Sequence, residues 1–287
     1  MPADRKVGVS YAVAAYLFWG VAPIYFVWVA FAQPLEILAY RLLWSLPLLA
    51  IFASIGRQWS GLRALSAADF RQLAICAALL AVNWLTFIYG VVNERINETS
   101  LGYFINPLIS IALGAIVLGE RLSRGQWIAV AVSGFGVCFE LAVQGTLPWI
   151  SLVLALTFGL YGLLRKQVAV PAALGLGIES GLFVPVAAAY LLFADLPSRD
   201  VEELGLLALG GLVTVLPLVW FAAAATRLPL TLLGFFQYIA PSLSLLVALG
   251  VYGETISSAR WVSFGCVWLA IVIFTFSSLR QRQQATA

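Results

Sequence analysis

Apolar residues run through this sequence in blocks of about twenty, separated by short stretches that carry Lys, Arg, Asp, Glu, Gly or Pro. Ten blocks stand out, at 8–30, 35–56, 72–92, 99–119, 125–143, 147–164, 174–194, 204–225, 229–251 and 259–279. At about 1.5 Å per residue, a helix of this length crosses a hydrocarbon layer ~30 Å thick. No block alternates apolar and polar residues strictly, so the pattern predicts membrane-spanning helices and not a lipid-facing barrel. The narrowest separations, at 142–147 and 226–229, are the least distinct boundaries. The first block follows Arg5 and Lys6 as a secretory leader would. It is longer than the roughly 7–15-residue core of a leader, and polar and aromatic residues crowd its end, so it reads as a span.

One stretch of the chain is written twice. The sequence from Ile105 to Trp127 and the sequence from Ile239 to Trp261 share eight identities over 23 ungapped positions, at an offset of 134. Pro107 matches Pro241, Ser110 matches Ser244, Gly119-Glu120 matches Gly253-Glu254, Ser123 matches Ser257, and Trp127 matches Trp261. The copies fall on the fourth and fifth spans and on the ninth and tenth. Five spans separate them, and five is odd, so the second copy faces the opposite way across the membrane. The expected architecture is an all-α integral membrane protein of ten transmembrane helices, built as two inverted five-helix repeats, 1–144 and 145–287. Inverted repeats place a binding site near the midplane and suit alternating access.

Composition agrees with the pattern. The chain is 62% hydrophobic and 10% charged, where a soluble domain carries about 25% charged residues. Placing the N-terminus inside puts twelve Lys and Arg in cytoplasmic segments, against Arg95, Arg199 and Arg260 outside, with Arg41 left within a helix. This positive-inside bias puts both termini in the cytoplasm. The net charge of +3 then reflects topology and calls for no nucleic-acid partner. Cys76, Cys138 and Cys266 fall within spans at no pairing distance and read as packing residues.

The remaining polar residues nominate a site. Pro107 and Pro241 each lack an amide, which frees the carbonyls of Tyr103 and Gln237 at matching depths in the two halves. A plain helix kink is the alternative. Around these prolines stand Asn106 and Tyr238, and the third span supplies Asn83 and Trp84. Arg41 needs a carboxylate, carbonyls or an anionic ligand. Glu179 and Glu36 are the proton-coupling candidates, although Glu36 stands near a helix end where it can face water. Glu120 and Glu254 read as turn builders. Small residues at Gly125, Ala129, Ser133, Ala259 and Ser263 suit close helix packing, within each half or between protomers of a homodimer. The sequence contains no histidine and no glycine-rich phosphate loop ahead of a lysine. It therefore names no catalytic residue, metal ligand, cofactor or ATPase machinery.

Leu101-Gly-Tyr-Phe-Ile-Asn-Pro107, Gly119-Glu120-Arg121, Tyr161-Gly-Leu-Leu-Arg165-Lys166, Ala223-Ala-Ala-Thr226-Arg227, Gly234-Phe-Phe-Gln237-Tyr238 and Tyr252-Gly-Glu254 resemble the RarD-type proteins. These belong to the EamA family of the drug/metabolite transporter superfamily. The resemblance covers essentially the whole chain. It implies a permease of the bacterial inner membrane that exports small metabolites or drugs, and it carries over no substrate-contacting residues. The partners expected are a small-molecule substrate and the lipid bilayer. The competing readings are an uncoupled facilitator, a lipid flippase or scramblase, and, least supported, a membrane-embedded enzyme.

Overall fold

The computed structural model describes residues 3–93, 95–145, 149–253 and 255–286, and among them it contains helices and no strand. The helices are α1 (Ala3–Trp28), α2 (Pro34–Ile55), the single turn α3 (Ser60–Arg63), α4 (Ala67–Val92), α5 (Ile96–Ile116), α6 (Arg124–Gln144) and α7 (Trp149–Gln167). They continue with α8 (Ala172–Gly181), α9 (Val184–Phe193), α10 (Val201–Ala225), α11 (Leu230–Gln237), α12 (Ile239–Gly250) and α13 (Ser258–Thr286). With α8 and α9 counted as one span bent by 43°, and α11 running on into α12, the described residues form ten spans. The spans turn side chains such as Ile116, Phe135, Leu192, Phe193 and Phe276 outward. A bilayer is the solvent that accepts such a surface.

Two expectations need adjusting. The third span starts five residues earlier than its apolar block, because Ser66 caps α4 by accepting the Asp69 amide at 3.1 Å. That cap extends the helix through polar residues that hydropathy alone leaves out. The seventh span is broken, because Pro185 lies in the first turn of α9 and cannot donate to the carbonyl of Gly181. The two prolines of the repeat also behave differently. Pro241 follows a break at Tyr238, whereas α5 runs unbroken through Pro107.

Packing repeats along with the sequence. α5 packs on α7 as α11 and α12 pack on α1, and α4 packs on α7 as α10 packs on α1. α6 pairs with α13, α5 with α11, and α2 with α8 and α9. Exchanging each span for the one five places along maps this set onto itself, as two interleaved repeats require. The repeated Gly-Glu turns serve the same end. Gly119 and Gly253 both take left-handed backbone, at φ 65° and 64°, where a Cβ would clash. Glu120 then reaches the start of α11 and accepts the Leu230 and Thr231 amides at 2.7 and 2.8 Å. It caps a helix of the other copy, where a carboxylate complements the helix dipole. Glu254 lies outside the described residues.

The stripe of small residues closes α6 onto α13. A Cβ on Gly125 would stand 2.6 Å from Ser277 Oγ, and one on Gly136 would stand 2.8 Å from Cys266 Cβ. The Ser263 hydroxyl donates to the Gly136 carbonyl at 2.8 Å. Neither helix contributes to the cavity described next.

Candidate functional site

Between the two halves lies a cavity of about 270 Å³. Its walls come from α1, α2, α4, α5, α7, α10, α11 and α12, so both repeats build it. Aromatic rings dominate: Tyr16, Trp19 and Phe26 on α1, Trp84 and Phe87 on α4, Tyr103 on α5 and Phe158 on α7. Pro23 and Pro241 add apolar surface, and Arg41, Asn83, Asn106, Thr214, Gln237 and Ser244 supply the polar atoms. Apolar area with a few placed polar groups is the usual make-up of a small-molecule pocket.

Close helix approach puts Arg41 at this wall. α2 and α10 meet at Gly210-Gly211, where a Cβ would come within 2.6 Å of Arg41 Cγ and 2.7 Å of the Trp44 backbone. Across that contact Arg41 donates through Nε to Thr214 Oγ1 at 2.8 Å. Its guanidinium stands 5.4 Å from the Phe26 ring centre and 5.9 Å from that of Trp84, within cation–π range. On its own helix, the Ser45 hydroxyl bonds the Arg41 carbonyl at 2.6 Å, while Trp44 faces outward.

The amides are held as firmly. Asn83 donates through Nδ2 to the Leu154 carbonyl at 2.9 Å and to Thr157 Oγ1 at 2.8 Å. A carbonyl can only accept, so the orientation of this amide is fixed and Oδ1 is its remaining polar atom. Gln237 donates to Ser110 Oγ at 3.0 Å, joining α11 to α5. Asn106 lines the cavity with its side-chain oxygen unpartnered among the described residues. Ser244, the repeat mate of Ser110, donates instead to the Gly20 carbonyl at 3.0 Å.

Of the residues nominated from sequence, Arg41, Asn83, Trp84, Tyr103, Asn106, Gln237 and Pro241 thus share one cavity. Tyr238, Pro107, Glu179 and Glu36 lie elsewhere. Tyr238 is fully buried in a core cluster with Phe104, Phe235 and Phe264. Pro107 marks the crossing of α5 and α11, where a Cβ on Gly234 would meet its carbonyl at 2.9 Å. Glu179 is buried beside Arg165, with Oε1 3.6 Å from Nε, and its Oε2 accepts from the Tyr161 hydroxyl at 3.2 Å. It borders a cleft behind Trp84 too narrow for water. Glu36 pairs with Arg199 at 2.8 Å and also accepts the Gln33 amide at the start of its own helix. That hydrogen bond to Glu36 raises the pKa of Arg199 above its usual value.

Phe26, Thr214 and Phe158 were missed by sequence reading. Phenylalanines are too common in these spans to be singled out. The Gly210-Gly211 pair four and three residues before Thr214 was the available signal, because it lets α10 approach α2.

Comparison with known proteins places the chain in a family. The EamA-like transporter family matches residues 6–141. The chain is similar to Protein RarD of Escherichia coli, 44% identical over 99% of this chain and 98% of that protein. An uncharacterized transporter of Vibrio cholerae is 44% identical over 96% of this chain and 94% of its own length. The Bacillus subtilis transporter YojE, also uncharacterized, is 39% identical over 98% and 97%. A protein of known crystal structure matches the fold with a TM-score of 0.75 at 17% identity, over 95% of this chain and 98% of its own. The chain belongs to the EamA-like transporter family, among its RarD-type members.

Proposed function

We propose that this chain is a secondary transporter that exports small amphipathic metabolites or drugs by alternating access around the central cavity. The observation that carries this reading is the position of the cavity, walled by both halves. Arg41, Asn83 and Tyr103 belong to the first five-span unit, 1–144, and Phe158, Thr214 and Gln237 to the second, 145–287. Rocking one unit against the other opens such a site to either side in turn. The family and the relatives named as transporters support the same class of activity and lend nothing to an enzymatic reading.

Size favours a soluble solute over a lipid. About 270 Å³ falls just below the ~300–1,000 Å³ of drug-sized pockets. Coupling to protons through Glu179 or Glu36 requires the Arg165 or Arg199 pair to open during the cycle. No carboxylate among the described residues lines the cavity itself, which favours transport driven by the substrate's own gradient. The charge bias of the loops supports a multi-pass protein of the bacterial inner membrane with both termini cytoplasmic.

Reconstitution in liposomes tests the reading. Uptake of amino acids, nucleobases and antibiotics is measured beside translocation of a labelled lipid. Saturable solute exchange that is lost when Trp84→Ala opens the aromatic wall is the expected result. Lipid translocation with no solute exchange would replace this reading with the flippase. Orientation is checked separately in cells, in a background lacking the three cysteines. Ser198→Cys should label from outside and Ser60→Cys should not.

A further inference from the structure

The described residues that line the cavity carry one formal charge and nothing to balance it. Among them, Arg41 alone is charged at neutral pH. The groups around it on the neighbouring helices are neutral: Tyr25 and Phe26 on α1, Trp84 on α4, Tyr103 on α5 and Thr214 on α10. No carboxylate among the described residues pairs with it, whereas Arg95, Arg165, Arg199, Arg227 and Arg260 each pair with one. A guanidinium has five N–H donors, and among the described residues Arg41 makes its side-chain hydrogen bond through Nε. Four donors remain on the two terminal nitrogens. An arginine cannot shed its proton to escape a low dielectric, and an uncompensated buried charge is costly. Two aromatic faces reduce that cost without cancelling the charge.

The geometry points to an organic monoanion as the substrate. We infer that a single carboxylate or sulfonate pairs with the free edge of Arg41. The aromatic or branched apolar body of the same molecule packs against Trp19, Trp84, Phe87 and Phe158. This deepens the transporter reading and rests on it. Because no acidic side chain among the described residues lines the cavity to accompany the substrate as a proton carrier, the charge that crosses is the substrate's own, and transport is electrogenic. An inside-negative potential drives an anion outward, toward a gradient of about fiftyfold per 100 mV.

The test uses size-matched probes on the full chain in phosphatidylcholine vesicles: benzenesulfonate, benzenesulfonamide and benzylamine. Binding is read as quenching of tryptophan fluorescence, since Trp19 and Trp84 line the cavity. Benzenesulfonate should bind at least tenfold tighter than the sulfonamide, and benzylamine should not compete. Arg41→Gln should weaken the sulfonate by about ten- to hundredfold and leave the sulfonamide little changed, while Arg41→Lys keeps the preference for the anion. Efflux of benzenesulfonate should accelerate under a valinomycin-imposed, inside-negative potential. Equal binding of anion and amide by the wild-type chain overturns the proposal, as does a sulfonate preference that survives Arg41→Gln. In both cases the transporter reading stands if Trp84→Ala still weakens the probes. Failure of all three probes to bind overturns both. Loss of sulfonate binding when phosphatidylglycerol is added identifies a lipid headgroup as the occupant and overturns the soluble-anion assignment.

Discussion

Arg41 and Arg165 are both withdrawn from bulk water, and the protein treats them in opposite ways. Arg165 is fully buried near the end of α7 and stands 3.6 Å from Glu179. Its Nη2 is turned to the carbonyls of Val170, Pro171 and Ala172 at 3.3–3.4 Å. Its charge is met from within the chain by a carboxylate, although Nε and Nη1 make no hydrogen bond among the described residues. Arg41 has one hydroxyl and two aromatic faces, and it opens on a cavity. An arginine neutralised by the protein is part of the scaffold. One left charged beside open space is equipped to meet something that arrives.

The largest expected effect breaks the scaffold side of this comparison. Glu179→Ala strands the buried Arg165 charge and should cost about 3–5 kcal/mol of stability, read as a lower melting temperature in detergent. Replacing both partners, Arg165→Met with Glu179→Leu, should recover most of that loss, because an apolar pair of similar volume has no charge to strand. Arg41→Met should do the reverse of Glu179→Ala and leave the melting temperature unchanged or raised. Equal destabilisation by Arg41→Met and Glu179→Ala would make both arginines structural and erase the distinction.

A glycine lies against each arginine, and this sharpens the contrast. A Cβ on Gly175 would meet Arg165 Nη2 at 2.3 Å, and one on Gly210 would meet Arg41 Cγ at 2.6 Å and the Tyr25 hydroxyl at 2.5 Å. Gly175→Ala has nowhere to displace a fully enclosed guanidinium and should cost ~1–3 kcal/mol of stability. Gly210→Ala can push Arg41 toward the cavity, so it should melt closer to wild type and instead weaken anion binding, measured by the same quenching titration. Gly210→Ala with unchanged affinity would mean that the position of Arg41 is irrelevant to binding.

Much of this was legible in the sequence, for specific reasons. The ten spans follow from block lengths set by the bilayer. The repeat follows from Pro107 and Pro241 and the paired Gly-Glu turns, whose glycines both need positive φ. The polar cavity residues stood out because an amide such as Asn83 or a charge such as Arg41 is rare in an apolar span. What stayed hidden was pairing. Nothing in the sequence near Glu179 announces Arg165, fourteen residues back on the preceding span, or joins Glu36 to Arg199, 163 residues away. Without those partners, each carboxylate reads as an isolated ionisable group. Tyr238 and Pro107 sat at the right depth, but depth does not say which face of a helix turns to the cavity.

The smallest expected effect is the finest test of how Arg41 is held. Thr214 accepts from Arg41 Nε at 2.8 Å and donates its own hydroxyl proton to the Gly210 carbonyl at 2.8 Å. One hydroxyl therefore ties the guanidinium to the wall on which the glycine pair admits α2. Thr214→Val keeps the shape and removes the acceptor, leaving Nε to seek water in the cavity. A hydrogen bond to a charged group contributes about 1.5–3 kcal/mol when fully buried. Here the cavity can supply water in its place, so the expected loss of sulfonate affinity is only about three- to tenfold. Thr214→Ser restores the hydroxyl and should restore the affinity. If valine and serine behave alike, the bond to Thr214 does not position Arg41, and the aromatic faces of Phe26 and Trp84 hold it alone.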